Sequence, residues 1–269
     1  MTTPIASCRG GLRPPEPQAS RNHENSGGRR PPLLVLLIVA AFANSLFAAT
    51  PITISLAKER AGHTPARFLP VVGDWIIAND ERGNPVIQVD GRQWIKGQPS
   101  AGLAANARKI YGAKHEEFID SVKAYAYFPY SVAKDIPDFT NGEISIRFRL
   151  LGGQLDQCAG ILFNLKSNGD YLTVRFNGKE DNLVLWTFKS GKRSFVKKGA
   201  HDVHLAFGDW HRMKIAVDGT QLRGYLDDEL LLEYTLPEAV SGKVGLWSKT
   251  DSVSQFDAFT VAAAAATKP

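Results

Sequence analysis

From Asn141 to Leu150 the sequence NGEISIRFRL alternates without a break: Ile144, Ile146, Phe148 and Leu150 fall on one side, Glu143, Ser145, Arg147 and Arg149 on the other. Side chains of an extended strand point to opposite faces in turn, so a strict period of two means one buried face and one wet face. The arginines cannot take the buried side unpaired, because desolvating an isolated charge costs too much. The same pattern continues downstream. Gln157–Lys189 reads as three strands, Gln157–Leu165, Tyr171–Phe176 and Asn182–Lys189, turned at Asn168-Gly169-Asp170 and Asn177-Gly178. Asn and Gly tolerate the positive φ of tight hairpins. Lys192–Lys198, Trp210–Gly219, Gln221–Asp228, Glu229–Leu236, Gly242–Ser248 and Gln255–Val261 extend the series, with hairpins at Val217-Asp218-Gly219 and Leu226-Asp227-Asp228.

Upstream, Gly73–Asp80 and PVIQVDGRQW (Pro85–Trp94) form a first pair, with Asp90-Gly91 reading as a further hairpin. Ser121–Tyr130 is an aromatic strand ended by Pro129. Only Ser100–Phe118 departs from strand spacing: Leu103, Ala107, Ile110 and Tyr111 recur at helical intervals, which predicts a short helix or an irregular loop. About a dozen strands at ~8–12-residue spacing predict an all-β fold, a two-sheet antiparallel sandwich or jelly roll over residues 67–262. No repeat of fixed length is visible, which argues against a propeller or solenoid.

The net charge of +5 is unevenly placed, since residues 1–48 carry five arginines against Glu16 and Glu24 and leave only +2 for the rest. A folded part so nearly neutral offers no electrostatic case for nucleic acid. Residues 1–48 instead read as a secretory signal with a long basic n-region: Arg29-Arg30, then LLVLLIVAAFA (Leu33–Ala43), then small residues to Ala48-Ala49. The apolar run is shorter than the ~20 residues of a spanning helix and is broken by Asn44 and Ser45. The expectation is an exported protein, periplasmic or extracellular, that meets a membrane only through an uncleaved signal. Cys8 would leave with that segment. Cys158, in an apolar strand and with no histidine near it in sequence, reads as a buried, inert thiol.

The order DQCAGILFN, NGDYLTVRFN, EDNLVLW, GDWHRMKIAVDG, LRGYLDDELL and GKVGLWSKTDSVSQFDAFTV resembles the concanavalin A-like lectin/glucanase superfamily. Within it the chain is most similar to laminin-G-like and 3-keto-disaccharide-hydrolase-type domains, over Asp138–Val261 and more thinly over Phe68–Trp94. The resemblance implies a concanavalin A-like jelly roll. Its motifs are turn residues and core alternations, so they specify the sandwich rather than a ligand.

Glycoside hydrolysis needs two carboxylates across the scissile bond. The superfamily's glucanases take theirs from an E-x-D-x-E-like strand, and no such strand is present; Asp227-Asp228-Glu229 falls in a hairpin turn. A hydrolase of the 3-keto-disaccharide type would require Glu143, Glu180 or Asp156 to converge. His201-Asp202-Val203-His204 is too sparse for a metal site. Related sandwiches hold a structural Ca²⁺ through loop oxygens, for which Asp156, Asn164, Asp251 and Asp257 are contributors to consider; no other cofactor is expected. A sugar surface is better represented: Arg147, Arg149, Arg175, Asn177, Glu180 and Asn182 offer planar hydrogen-bonding groups, with Trp186 as a stacking platform. Arg147 and Arg149 are expected on a wet face of the same sheet as Arg175. The face of Trp186 is left open by its neighbours, and Trp247 reads as core. Lys189, Lys192, Arg193, Lys197 and Lys198 gather on one hairpin, either gripping an acidic polysaccharide or keeping an edge strand soluble. The leading expectation is a carbohydrate-binding domain, for a polysaccharide or cell-surface glycan, without catalysis. The alternatives are the hydrolase and a laminin-G-like interaction module.

Overall fold

Fifteen strands account for nearly all of the regular structure in the computed structural model, which describes residues 50–94, 109, 128–190 and 192–264. The signal segment, nearly all of the helix-or-loop segment and residues 121–127 lie outside the described residues. Every described residue belongs to one compact unit, Ser45–Pro269. In chain order the strands are β1 (Ile52–Thr53), β2 (Phe68–Val72), β3 (Trp75–Asn79), β4 (Pro85–Asp90), β5 (Tyr130–Ala133), β6 (Gly142–Gly152), β7 (Cys158–Leu165) and β8 (Tyr171–Asn177). They continue with β9 (Asn182–Lys189), β10 (Lys192–Lys198), β11 (His211–Asp218), β12 (Gln221–Leu226), β13 (Glu229–Thr235), β14 (Lys243–Trp247) and β15 (Val253–Ala263).

Two antiparallel sheets result. The first runs β13-β12-β11-β6-β15-β4-β3, with β1 also on β15; the second runs β10-β9-β8-β7-β14-β5-β2. On β6 the alternation does what its period demands: Ile144, Ile146, Phe148 and Leu150 are at most 5% exposed. They pack against Ile161 and Phe163 of β7, Val174 and Phe176 of β8, and Leu183 and Leu185 of β9, which forms the core between the sheets.

One local expectation is corrected. After β4 the chain makes a turn of 3-10 helix (Gly91–Trp94) rather than a hairpin. Gly91 donates its N–H to Ser252 O at 2.9 Å, and a Cβ there would meet Thr250 O at 1.9 Å. The backbone must pass too close to the β14–β15 loop to fold back at that point. Of the expected aromatic strand, residues 121–127 lie outside the described residues; β5 starts at Tyr130, and the Pro129 carbonyl ahead of it accepts the N–H of Ser248 at 2.8 Å.

Between β6 and β7 the chain crosses from the first sheet to the second. The Asp251 carboxylate fixes that crossing by accepting the N–H groups of Gln154 (2.6 Å), Leu155 (3.0 Å) and Asp156 (3.0 Å). Asp251 is buried. Burial alone would raise its pKa, but the three backbone donors outweigh that and hold it below the ordinary carboxylate value.

The second sheet carries apolar residues on both faces, so β7 is buried along its whole length. Its outer face holds a separate cluster that includes Val132, Tyr130, Cys158, Leu162, Tyr171, Phe188 and Trp247. Tyr171 and Phe188 stack at 4.2 Å, and Trp247 Nε1 donates to the Tyr171 hydroxyl at 3.2 Å. Trp247 is thus fully buried, as read from sequence, but on the outer face of this sheet and not between the two.

Candidate functional site

The residues proposed from sequence divide between two faces. Arg147 and Arg149 project from β6 on the first sheet; Arg175, Asn177, Asn182 and Trp186 stand on β8 and β9 of the second, with Glu180 in the turn between them. The expectation that Arg147 and Arg149 share a sheet with Arg175 is therefore corrected. Strands β6 and β7 are consecutive in sequence, but the Asp251-anchored crossing puts them in different sheets.

On the second sheet, Arg175 pairs with Gly160 of β7 and Val184 of β9 in the strand register. Gly160 leaves room for it: a Cβ there would lie 2.9 Å from Arg175 Cβ. The Arg175 side chain is only 2% exposed. Its Nη2 donates to Glu180 Oε2 at 2.6 Å, and its Nη1 donates to Asn182 O at 3.1 Å and to Asn182 Oδ1. A buried guanidinium so paired is rigid, and it fixes Glu180, 44% exposed, and the half-buried Asn182 in defined orientations at the surface. Asn177 is spent differently. It is fully buried, its Oδ1 accepts the N–H groups of Gln157 and Lys179, and its Nδ2 donates to Asp156 Oδ1 at 3.0 Å. It holds the β8–β9 turn and offers nothing to a ligand.

Trp186 points to this same outer face. Its ring lies 5.9 Å from the Arg175 guanidinium carbon and 4.3 Å from that of Arg193 on β10. Arg193 is also 4.9 Å from the Phe128 ring, and Phe195, 58% exposed, meets Trp186 edge-on at 5.7 Å. Phe195, Trp186, Arg193 and Phe128 therefore form a row of rings and one cation along the sheet's β9–β10 edge. Burial, with Arg175 adding repulsion, lowers the Arg193 pKa from its ordinary value. Arg193 belongs to the hairpin cluster that the sequence offers for an acidic polysaccharide, but Phe195 and Phe128 are site residues that the sequence reading does not reach. The signal available was the hairpin register, which sets Phe195 opposite Trp186 and Arg193 opposite Phe188.

The first sheet's outer face is organised around Trp210, whose ring has the guanidinium carbons of Arg147 and Arg149 each at 4.9 Å. Arg149 donates to Gln255 Oε1 at 2.8 Å and pairs with Glu81, and Gln255 Nε2 donates to Gln88 Oε1 at 2.7 Å. Arg147 reaches Asp257 at 3.4 Å. A cleft of about 480 Å³ lies beside them, lined by Trp210, Arg147, Asp257, Arg82 and Asn84 among others. Its polar groups are largely engaged with one another. Asp80 accepts from the N–H groups of Arg82 and Asn84, and Asp257 accepts from the N–H of Ala258.

Three other chemistries were considered from sequence. Glu143 stands apart from Asp156 and Glu180: it is on the first sheet, paired with Lys214 at 3.3 Å, while Asp156 binds Lys249 at 2.8 Å and Thr250 at 3.0 Å beside the second, and Glu180 pairs with Arg175 at 2.6 Å. The oxygens considered for calcium accept from the chain's own donors, Asn164 Oδ1 from the N–H of Ser241 at 2.9 Å and Asp156, Asp251 and Asp257 as described. Among the described residues, no three His, Cys, Asp or Glu side chains gather as for a metal. His201 and His204 turn to different carboxylates, Glu229 at 3.0 Å and Asp181 at 3.3 Å. Cys158 is fully buried, and burial pushes its pKa up to about 12, which leaves the thiol protonated and inert at neutral pH.

No protein-family model matches the chain, and no curated protein matches its sequence. Solved structures do. The carbohydrate binding module CBM66 from Bacillus subtilis aligns at 13% identity with a TM-score of 0.52, over 75% of this chain and 98% of that one. A beta-glucanase from Bacillus licheniformis aligns at 10% identity and a TM-score of 0.43, over 79% and 91%. At such identities the likeness speaks to fold, and the fold is the concanavalin A-like jelly roll that the sequence resembled.

Proposed function

We propose that the domain binds a polysaccharide or cell-surface glycan on the outer face of the second sheet, around Arg175, Glu180, Asn182 and Trp186, and performs no chemistry on it. The observation that carries this reading is the pairing of Arg175 with two surface planar groups beside an indole. Sugars offer hydroxyls to carboxylates and amides and C–H faces to aromatic rings, so this combination suits them. Pre-positioning by a buried guanidinium lowers the ordering cost of binding. The likeness to a carbohydrate binding module supports the same class of ligand. The placement of Glu143 on the other sheet, and the engagement of Asp156 with Lys249 and of Glu180 with Arg175, support binding over hydrolysis, which needs two carboxylates free to work across one bond. Export follows from the same reading, with residues 1–48 removed as a signal; N-terminal sequencing of the protein recovered outside the cytoplasm tests it.

Affinity electrophoresis through a panel of polysaccharides tests the binding. Saturable retardation by at least one, lost in Trp186→Ala and retained in Arg147→Ala, is the expected result. Binding that vanishes with Arg147→Ala and survives Trp186→Ala, or no saturable binding at all, overturns the assignment.

A further inference from the structure

We infer that the glycan is acidic, with a carboxylate or sulfate of the ligand pairing with Arg193 between Trp186 and Phe128; this rests on the glycan-binding reading above. Arg193 is half-buried between two rings, yet among the described residues it has no ion pair and no hydrogen bond. Its neighbours sharpen the need. Arg175 repels it, and the acids that act on it from a distance, Asp156 and Glu180, are already paired with Lys249 and Arg175. A partly desolvated cation with unused donors is an unmet requirement, and a fork of N–H groups best meets a planar or tetrahedral oxyanion. The Trp186 Nε1 hydrogen in the same ring is likewise buried and has no acceptor among the described residues.

Charge distribution agrees. The β9–β10 hairpin carries Lys189, Lys192, Arg193, Lys197 and Lys198 and no acid, a charge of +5 on residues 49–269 whose net is +2. The rest of that unit is therefore net −3, so the positive field is concentrated at one edge. Of these five, only Lys198 has an ion pair among the described residues, to Asp202 at 2.8 Å. Edge lysines that merely keep a strand soluble would need no aromatic frame; Arg193 has one.

Paired ligands that differ only in charge test this: polygalacturonate against its methyl-esterified form, and dextran sulfate against dextran. The charged member of at least one pair should bind ~10-fold or more tightly, as a charge-assisted hydrogen bond implies. Raising the salt should weaken that binding. Arg193→Gln should remove most of the difference while Lys192→Gln, an equal change of charge on the same hairpin, removes little. Equal loss in both variants would show diffuse attraction only and overturn the assignment to Arg193. Equal binding of charged and neutral members by the wild-type protein overturns the acidic ligand but leaves the glycan reading standing, and needs no variant to fold. Failure of every polysaccharide to bind brings down both.

Discussion

On the outer face of the first sheet, cations find their opposites across the strands: Lys214 with Glu143, Arg147 with Asp257, Arg223 with Glu233. On the outer face of the second, equivalent outward positions carry Tyr130, Tyr171, Phe188 and Trp247, with one deeply buried arginine and one cation left uncompensated. A face that neutralises its own charges has little left to offer a ligand, and its exposed ion pairs add only ~0–1 kcal/mol each to stability. A face built of rings around fixed polar groups extends the core outward and leaves one cation without an ion pair among the described residues. The difference separates Arg147, whose charge is met by Asp257, from Arg193, which has no ion pair among the described residues.

The contrast can be broken by mutation. Trp247→Ala should destabilise the domain by ~3–5 kcal/mol, as much as a large deletion such as Phe148→Ala between the sheets. A cost below ~1 kcal/mol in denaturant unfolding would make the outer cluster mere surface. Arg175→Ala should cost about 2–3 kcal/mol, less than a fully buried pair because Glu180 can rehydrate. Asp251→Ala, which strands three backbone donors, should cost ~1–3 kcal/mol. The Asp251 pKa is depressed on folding, so its contribution is present above the ordinary carboxylate value and is lost as pH falls below ~4. Asp251→Asn should flatten that acid arm of the stability curve. For Cys158 the sign reverses. Its folded pKa is raised to about 12, so stability is full below the ordinary thiol value and falls as pH rises from there toward about 12. Cys158→Ala should remove that alkaline loss, and the native protein should resist alkylation at neutral pH. The smallest effect is expected for Arg147→Ala: a change of no more than ~1 kcal/mol, since its partner Asp257 stays in reach of water.

Much of the strand plan was legible because it depends on local period. Strands β9 and β10 fall on the residues that alternation and turn chemistry indicate, and the inward side of β6 is the one its isoleucines announce. Sheet membership was not legible. It depends on which strands pair across long separations, and β6 finds β15 and β11 rather than its successor β7. Arg147 and Arg175 were therefore placed together when they stand on opposite outer faces. Trp247 failed for a related reason: where both sides of a sheet are apolar, burial follows from sequence but direction does not. Arg193 was noticed among lysines, yet its role depends on Trp186 and Phe128, and only pairing and tertiary packing bring those three together.

The place of β15 has a consequence for assembly. It is the last strand in chain order, yet it is central in the first sheet, bonded to β6 along one edge and to β4 and β1 along the other. Until residues 253–263 emerge, β6 presents an open apolar edge, and β3–β4 has no sheet to join. Contacts between such distant segments make folding slow, since loop closure must precede any gain from pairing. Synthesis from the N-terminus thus yields a chain that stays incomplete, and reliant on protection of its edges, until its final strand arrives.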